Sequence, residues 1–220
     1  MILSKEQICA AVVCQKDFLA RQKLLIELDA STSSAARYYP RRSQLQQDIR
    51  DLERQPRIHI DGFDPDKCGP NSYDLRLGKN LLMYTEAQLD TRKENPTTRI
   101  SISETGFLLQ PGHLYLGVTE EYTETYSVVP WLDGRSSTAR LGLLIHQSAG
   151  RGDRSFCGRW TYELTVTIPL RVYAGTRIAQ LSFFETGPGE TTYANKLDTK
   201  YNCPSDEAWP LASQMYRDKY

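Results

Sequence analysis

Apolar positions along the chain change their spacing once, near residue 56. Before it, Ile8, Val12, Val13 and Leu19 recur at roughly helical intervals ahead of LLIEL at 24–28, which predicts a first helix of about four to six turns. Ser4 with Gln7 three residues on is a capping-box signature for its start. STSSAARYYPRRS at 31–43 reads by composition as a linker, after which Ser43 and Gln46 cap a second helix carrying Leu45, Ile49 and Leu52 on one side. Residues 1–56 are therefore expected to form an N-terminal helical segment. From Arg57 onward the apolar runs are short and rich in β-branched and aromatic residues: IHIDGF, SYDLRLG, LLMY, RISIS, GFLLQ, HLYLGVT, SVVPWL, LGLLIHQ, YELTVTIPL and TRIAQLSFF. Gly, Pro, Asn and Asp punctuate them, and no βαβ alternation occurs, so 57–187 reads as an antiparallel sandwich or barrel. Residues 188–220 are a polar tail with Tyr193, Lys200 and Tyr201, ending in the amphipathic stretch WPLASQMYRDKY. Such a tail is expected to order against a ligand or partner.

Composition narrows the function classes. With 220 residues and 40% hydrophobic content, the chain suffices for one well-buried core with a small appendage. Lys plus Arg and Asp plus Glu both number 27, so no overall field recruits nucleic acid or an anionic membrane; a small ligand fits better. Five scattered cysteines without a C-x-x-C pair argue against a disulfide framework and a structural zinc site. Early charges at Lys5, Glu6 and Lys16 leave no signal-peptide core, and no apolar run reaches membrane-spanning length. A cytoplasmic protein is expected.

The chemistry concentrates in DGRSSTARLGL at 133–143. Arg135 and Arg140 flank Ser136 and Ser137, and Gly134 lets backbone approach a ligand. If Ser136 opens a helical turn, free amides, hydroxyls and two guanidinium groups converge as they would on phosphate oxygens. A solvated turn with two exposed arginines accounts for the spacing equally well. Glu163 alone is likewise an ordinary strand glutamate. His146, inside LGLLIHQ, is more simply a packing residue; Trp131, Trp160 and Trp209 read as packing residues too.

The wider pattern separates these readings. GPNSYDLRLG (69–78), DGRSSTARLGL, IHQSAGRGD (145–153), FCGRWTYEL (156–164) and AGTRIAQLSFF (174–184) follow in one order. The set resembles the dCTP deaminase branch of the dUTPase superfamily over residues 57 to about 201. The resemblance implies a mainly β fold, a distorted jelly-roll-like barrel, assembled as a homotrimer with sites between subunits. It also implies dCTP as ligand, with magnesium held by the triphosphate and no zinc; dUTP as a second ligand and dTTP as an inhibitor are left open. By position, Arg135, Ser136, Ser137, Thr138, Ala139 and Arg140 look like the phosphate-binding and catalytic-support segment. Asp153 looks like the deoxyribose-side aspartate, Thr161 and Tyr162 line the base pocket, and Glu163 is the catalytic carboxylate. Tyr193 and Lys200 look like tail residues closing over the nucleotide. Gln180 either faces the base or is a barrel side chain.

Deamination at C4 needs water to attack, N3 to gain a proton and ammonia to leave, which one carboxylate can serve. The zinc deaminase constellation H-x-E with P-C-x-x-C is absent from the sequence. The water is then expected between Glu163, Ser136 and the carbonyl of Ala149, with Arg140 beside Glu163 holding it as a base. Three departures from the family pattern stand out: Arg154 and Ser155 replace Pro-Gly, Pro204 replaces a tail glutamine, and the stretch at about 9–56 has no counterpart. The first expectation is deamination of dCTP to dUTP and ammonia. A bifunctional enzyme continuing to dUMP and pyrophosphate is the second, with Asp153 orienting a water at the α-phosphorus; a non-catalytic nucleotide sensor is the third.

Overall fold

The cap at Ser4 is reciprocal in the computed structural model: Ser4 N–H donates to Gln7 Oε1 at 2.8 Å, and Gln7 N–H to Ser4 Oγ at 3.3 Å. The structure describes residues 1–30, 35–187, 189, 191–202 and 208–218, with 35–41 as backbone only. Helix α1 (Lys5–Ala30) is longer than expected, 26 residues, because Leu24, Leu25 and Leu28 continue to pack after the first four turns. Its buried face is Ile8, Ala11, Val12, Cys14, Gln15 and Phe18, recurring at the three- and four-residue spacing of a helix. Val13 and Leu19 are exposed; the expected stripe is off by one position because Ala11 and Gln15, inconspicuous in sequence, belong to the buried face.

Helix α2 (Ala35–Glu53) starts eight residues before the expected cap at Ser43. Of the expected linker, 31–34 lie outside the described residues, and 35–43 are helical. Alanine is the strongest helix former, and the proline at position 40 removes only one intrahelical donor while keeping a helix-compatible φ. Leu45 and Ile49 meet Phe18 in a small separate cluster, and Arg42 ion-pairs Asp29 at 2.7 Å across the hairpin. Arg57 joins the hairpin to the strands. Its guanidinium lies 3.9 Å from the Phe18 ring centroid and 5.0 Å from that of Tyr126, and burial pulls its proton affinity below the usual arginine range.

Among the described residues twelve strands follow. They are β1 (Ile58–Ile60), β2 (Tyr73–Tyr84), β3 (Thr97–Ser101), β4 (Phe107–Leu109), β5 (Tyr115–Thr119), β6 (Thr123–Thr125) and β7 (Val128–Gly134). After the single turn α3 (Ser136–Ala139) come β8 (Leu143–Leu144), β9 (Cys157–Gly158), β10 (Thr161–Val166), β11 (Leu170–Val172) and β12 (Arg177–Glu185). The main sheet has the order β7-β12-β2-β5-β10-β8 with β3 also on β2; β1-β6-β9 and β11-β4 complete it. All pairings are antiparallel, giving a distorted, jelly-roll-like barrel of mainly β structure.

β2 is one strand of 12 residues, whereas SYDLRLG and LLMY were expected as two. Gly78 does not break it. A Cβ there would lie 3.0 Å from the Val118 carbonyl oxygen and its Cγ1, so glycine permits the close approach of β5 at a register shift between Leu77 and Leu81. The long strand lets its first half pair with β12 and its second with β3 and β5. Tyr73, Leu75, Leu77 and Leu81 consequently run through the centre of the core. The N-terminus joins the same core: Leu3 N–H donates to Phe183 O at 2.9 Å, and Ile8, Ala11 and Val12 belong to the barrel cluster. No helix of the described residues is long and apolar enough to cross a membrane.

Candidate active site

Strand β10 alternates strictly. Thr161, Glu163 and Thr165 are half-buried on one face, while Tyr162, Leu164 and Val166 are buried on the other. The first face opens on a cavity of about 830 Å³ lined by Thr161, Glu163, Ala149, Asp153, Tyr193 and Lys200, among others. Six of the residues singled out in the sequence thus share one space. Tyr162 does not line it: its ring is fully buried, its hydroxyl donates to the Arg76 carbonyl at 3.4 Å, and burial raises its pKa well above the ordinary phenol range. The strand period of two forbids neighbours Thr161 and Tyr162 from facing the same way.

The loop between β8 and β9 frames the cavity. It runs beside β7, with Leu132 N–H donating to Gly150 O at 2.7 Å and Gly152 N–H to Pro130 O at 2.9 Å. A Cβ on Gly150 would come within 2.4 Å of the Leu132 carbonyl oxygen, and one on Gly152 within 2.5 Å of the Trp160 ring. Both glycines are needed for this approach, which brings Ala149 and Asp153 to the cavity. His146 faces Asp133, with Nε2 3.8 Å from Oδ1. Glu163 is held from this loop: Gln147 N–H donates to Glu163 Oε2 at 2.8 Å.

The RSSTAR segment lies elsewhere on the chain. α3 does start at Ser136, and Ser136, Ser137, Ala139 and Arg140 are exposed while Thr138 is buried. Arg135 ion-pairs Asp74 at 3.1 Å and donates to the Arg177 carbonyl at 3.1 Å. Gln180 sits on the same side, donating to Gly134 O and accepting from Ser72 Oγ, both at 3.3 Å. None of Arg135 to Arg140, nor Gln180, lines the Glu163 cavity. The expected meeting of Ser136 and Arg140 with Glu163 therefore does not occur within one chain. Within one chain Gln180 is engaged with Ser72 and Gly134.

The departures from the family pattern acquire definite structure. Arg154 does not point to solvent: its guanidinium donates to the carbonyls of Gly189 and Thr191 (3.1 Å to the latter), and its own carbonyl accepts Tyr193 N–H at 2.8 Å. Ser155 takes a left-handed φ of 65°, a conformation that a glycine would adopt without strain. This staple seats Tyr193 6.2 Å from Phe156 at the cavity wall. Arg154→Ala is expected to speed amide exchange at Tyr193 by about tenfold or more, the loss of a charged hydrogen bond; unchanged exchange would show that the staple does not hold it.

The C-terminal segment, expected to await a ligand, already packs along the cavity. Ala208 O accepts from Asn80 Nδ2 at 2.7 Å, the Trp209 ring lies 4.6 Å under Arg99, and Leu211 N–H donates to Thr161 Oγ1 at 2.9 Å. Lys200 pairs with Asp218, whose carboxylate raises the lysine above its usual range. Pro204 lies outside the described residues. Gln147 and the stretch 208–218 were not legible as site elements. The only sign of the former was its place in IHQSAGRGD.

Comparison with known proteins places these features. Residues 44–186, more than half the chain, match the family model described as dCTP deaminase-like. A protein of Leptospira biflexa serovar Patoc named "dCTP deaminase, dUMP-forming" is 52% identical over 133 residues, 60% of this chain and 76% of the relative. A protein of Cytophaga hutchinsonii with the same name is 47% identical over 144 residues, 66% of this chain and 82% of that one. A solved 2'-deoxycytidine 5'-triphosphate deaminase from Agrobacterium tumefaciens superposes with a TM-score of 0.48 at 21% identity, over 59% of this chain and 44% of that one; the fold rests on the strand order given above. With strand β10, the glycine-pinned loop and α3 all inside the matched span, the chain belongs to the dCTP deaminase-like family.

Proposed function

We propose that this chain hydrolyses dCTP, taken as its magnesium complex, to ammonia, dUMP and pyrophosphate. The observation that carries the reading is Glu163, half-buried in the cavity with one carboxylate oxygen anchored by Gln147 N–H. The other oxygen makes no hydrogen bond among the described residues, so it can serve a water and the base N3. Glu163 takes a proton from the water as its oxygen adds to C4 and delivers that proton to N3. It then carries the second water proton to the amino group, the C4–N bond breaks and ammonia leaves. The names of the Leptospira and Cytophaga relatives favour dUMP over the dUTP endpoint expected from the sequence. Asp153, exposed in the same cavity, is the residue we assign to orient the water that attacks the α-phosphorus as the bond to the β-phosphate breaks.

The functional unit is a homotrimer in which α3 of one subunit completes the Glu163 cavity of the next. Two features support this: the RSSTAR residues are exposed away from the cavity, and the nearby apolar side chains of Leu141, Leu144 and Ile168 are 57%, 46% and 61% exposed. Chromatography of products from dCTP with magnesium tests the reaction. Ammonia with dUMP and pyrophosphate is expected; accumulating dUTP would sink the dUMP-forming reading, and binding without turnover would favour a sensor. Mixing Arg140→Ala and Glu163→Ala chains tests the shared site. Return of about a quarter of wild-type activity is expected for random assembly, and no return in mixed trimers would exclude it.

A further inference from the structure

We infer that Gln147 is a positioning residue that fixes the Glu163 carboxylate through three hydrogen bonds to strand β10. Its backbone N–H donates to Glu163 Oε2 at 2.8 Å; its side-chain amide donates to the Glu163 carbonyl and to Thr165 Oγ1, both at 3.1 Å. The arrangement follows from where β8 stops. β8 pairs with β10 only at Leu143–Val166 and Leu144–Thr165; one further bond, Glu163 N–H to Ile145 O at 2.9 Å, closes the ladder. Beyond it the chain turns away toward β7, which leaves the Glu163 carbonyl without a strand partner on the β8 side. The Gln147 side chain takes the place of that missing strand, satisfying the carbonyl and gripping the Thr165 hydroxyl. The same residue's amide N–H is thereby aimed at the carboxylate.

Oε2 is occupied, so Oε1 faces the cavity as the proton-carrying atom, and the carboxylate cannot rotate freely about its last bond. A freely rotating carboxylate would spend part of its time misaligned with both water and N3, and small misplacements of a reacting group are costly to rate. Ala149, two residues on, shares the loop, so the clamp also sets the distance between the Ala149 carbonyl and Glu163.

The inference rests on the deaminase reading, and its test separates the two. Gln147→Met keeps the side-chain length and removes both donors; Thr165→Val removes one acceptor while keeping the shape. Each is expected to lower kcat for ammonia release, Gln147→Met by between about 10- and 100-fold, with KM for dCTP changed less than about threefold. The double variant should be no worse than Gln147→Met alone, since both break one clamp. Amide exchange at Gln147, read by NMR on folded protein of unchanged melting temperature, should accelerate in both variants. Faster exchange with full kcat would overturn the positioning role, and unchanged exchange would overturn the clamp itself. If the wild-type chain released no ammonia from dCTP, the deaminase reading would fail together with the catalytic role, while the exchange data would still decide whether Gln147 holds Glu163.

Discussion

Glu163→Gln is expected to lower kcat for ammonia release from dCTP by about 10³-fold or more, with dCTP affinity by calorimetry nearly unchanged. Glutamine keeps the shape of the side chain, and its Oε1 can still accept Gln147 N–H, so the loop and cavity stay formed. What it loses is the ability to take a proton from water and return it to the base. The prediction therefore isolates proton transfer from binding. A variant that binds dCTP normally and still deaminates at the wild-type rate would remove Glu163 from the mechanism. Loss of binding along with turnover would assign it to ligand recognition instead.

The second large effect is on stability. Glu121 is 1% exposed, and its carboxylate accepts from Arg76 Nε at 2.7 Å and from Arg76 backbone N–H at 2.9 Å. The hydrogen bond to Glu121 is the main cause raising the Arg76 guanidinium above its usual range. This pair ties β2 to the turn between β5 and β6, where Thr119 Oγ1 also donates to Glu121 O at 2.8 Å. Glu121→Ala leaves a buried amide without its acceptor and a guanidinium without one of its two carboxylates, Glu120 remaining at 2.9 Å. A loss of about 3 kcal/mol or more is expected, a fall of roughly 10 °C in melting temperature. Glu121→Gln should fall between the two, because it retains an acceptor for the Arg76 amide. The effect should reach the site as well: Trp160 N–H donates to Thr119 Oγ1 at 2.9 Å, and Trp160 and Thr161 both line the cavity. A melting temperature unchanged in Glu121→Ala would show that this buried pair contributes nothing net.

What could be read in the sequence follows from the range of the interactions involved. The Ser4–Gln7 cap and the alternation in β10 are local, set by residues two or three positions apart, and both are present as their spacing predicts. The same alternation should have excluded Tyr162 from the pocket lining, since it is one residue from Glu163 on a strand. Gly78 looked like a break because a glycine without context signals a turn; only the approach of Val118 from β5, forty residues away, shows its use. The face of α1 was misjudged by one position because Ala11 and Gln15 carry little hydrophobic signal, yet both meet the interior.

The candidate site divides in the same way. Glu163, Thr161, Asp153 and Ala149 were found through their motifs, and the chain brings them together. Ser136 and Arg140 were expected beside Glu163 on the same motif grounds, but within one chain they lie away from its cavity; under the proposed trimer their relation to Glu163 would arise only on assembly, which no spacing along one chain encodes. Gln147 went unnoticed because its role arises from the early end of β8, and the packing of 208–218 in part because several of its bonds use main-chain groups, the Ala208 carbonyl and the Leu211 and Ser213 amides. Backbone donors carry no sequence signature.

In the proposed reaction one cavity, organised around Glu163, carries dCTP through deamination to dUMP. A time course following ammonia, pyrophosphate and free dUTP together, from dCTP and magnesium with wild-type protein, tests it most directly. Ammonia and pyrophosphate should rise in equal amounts with dUMP, without free dUTP building up. Pyrophosphate without ammonia would contradict the deamination at its centre, and ammonia with a stoichiometric build-up of dUTP would contradict the passage to dUMP.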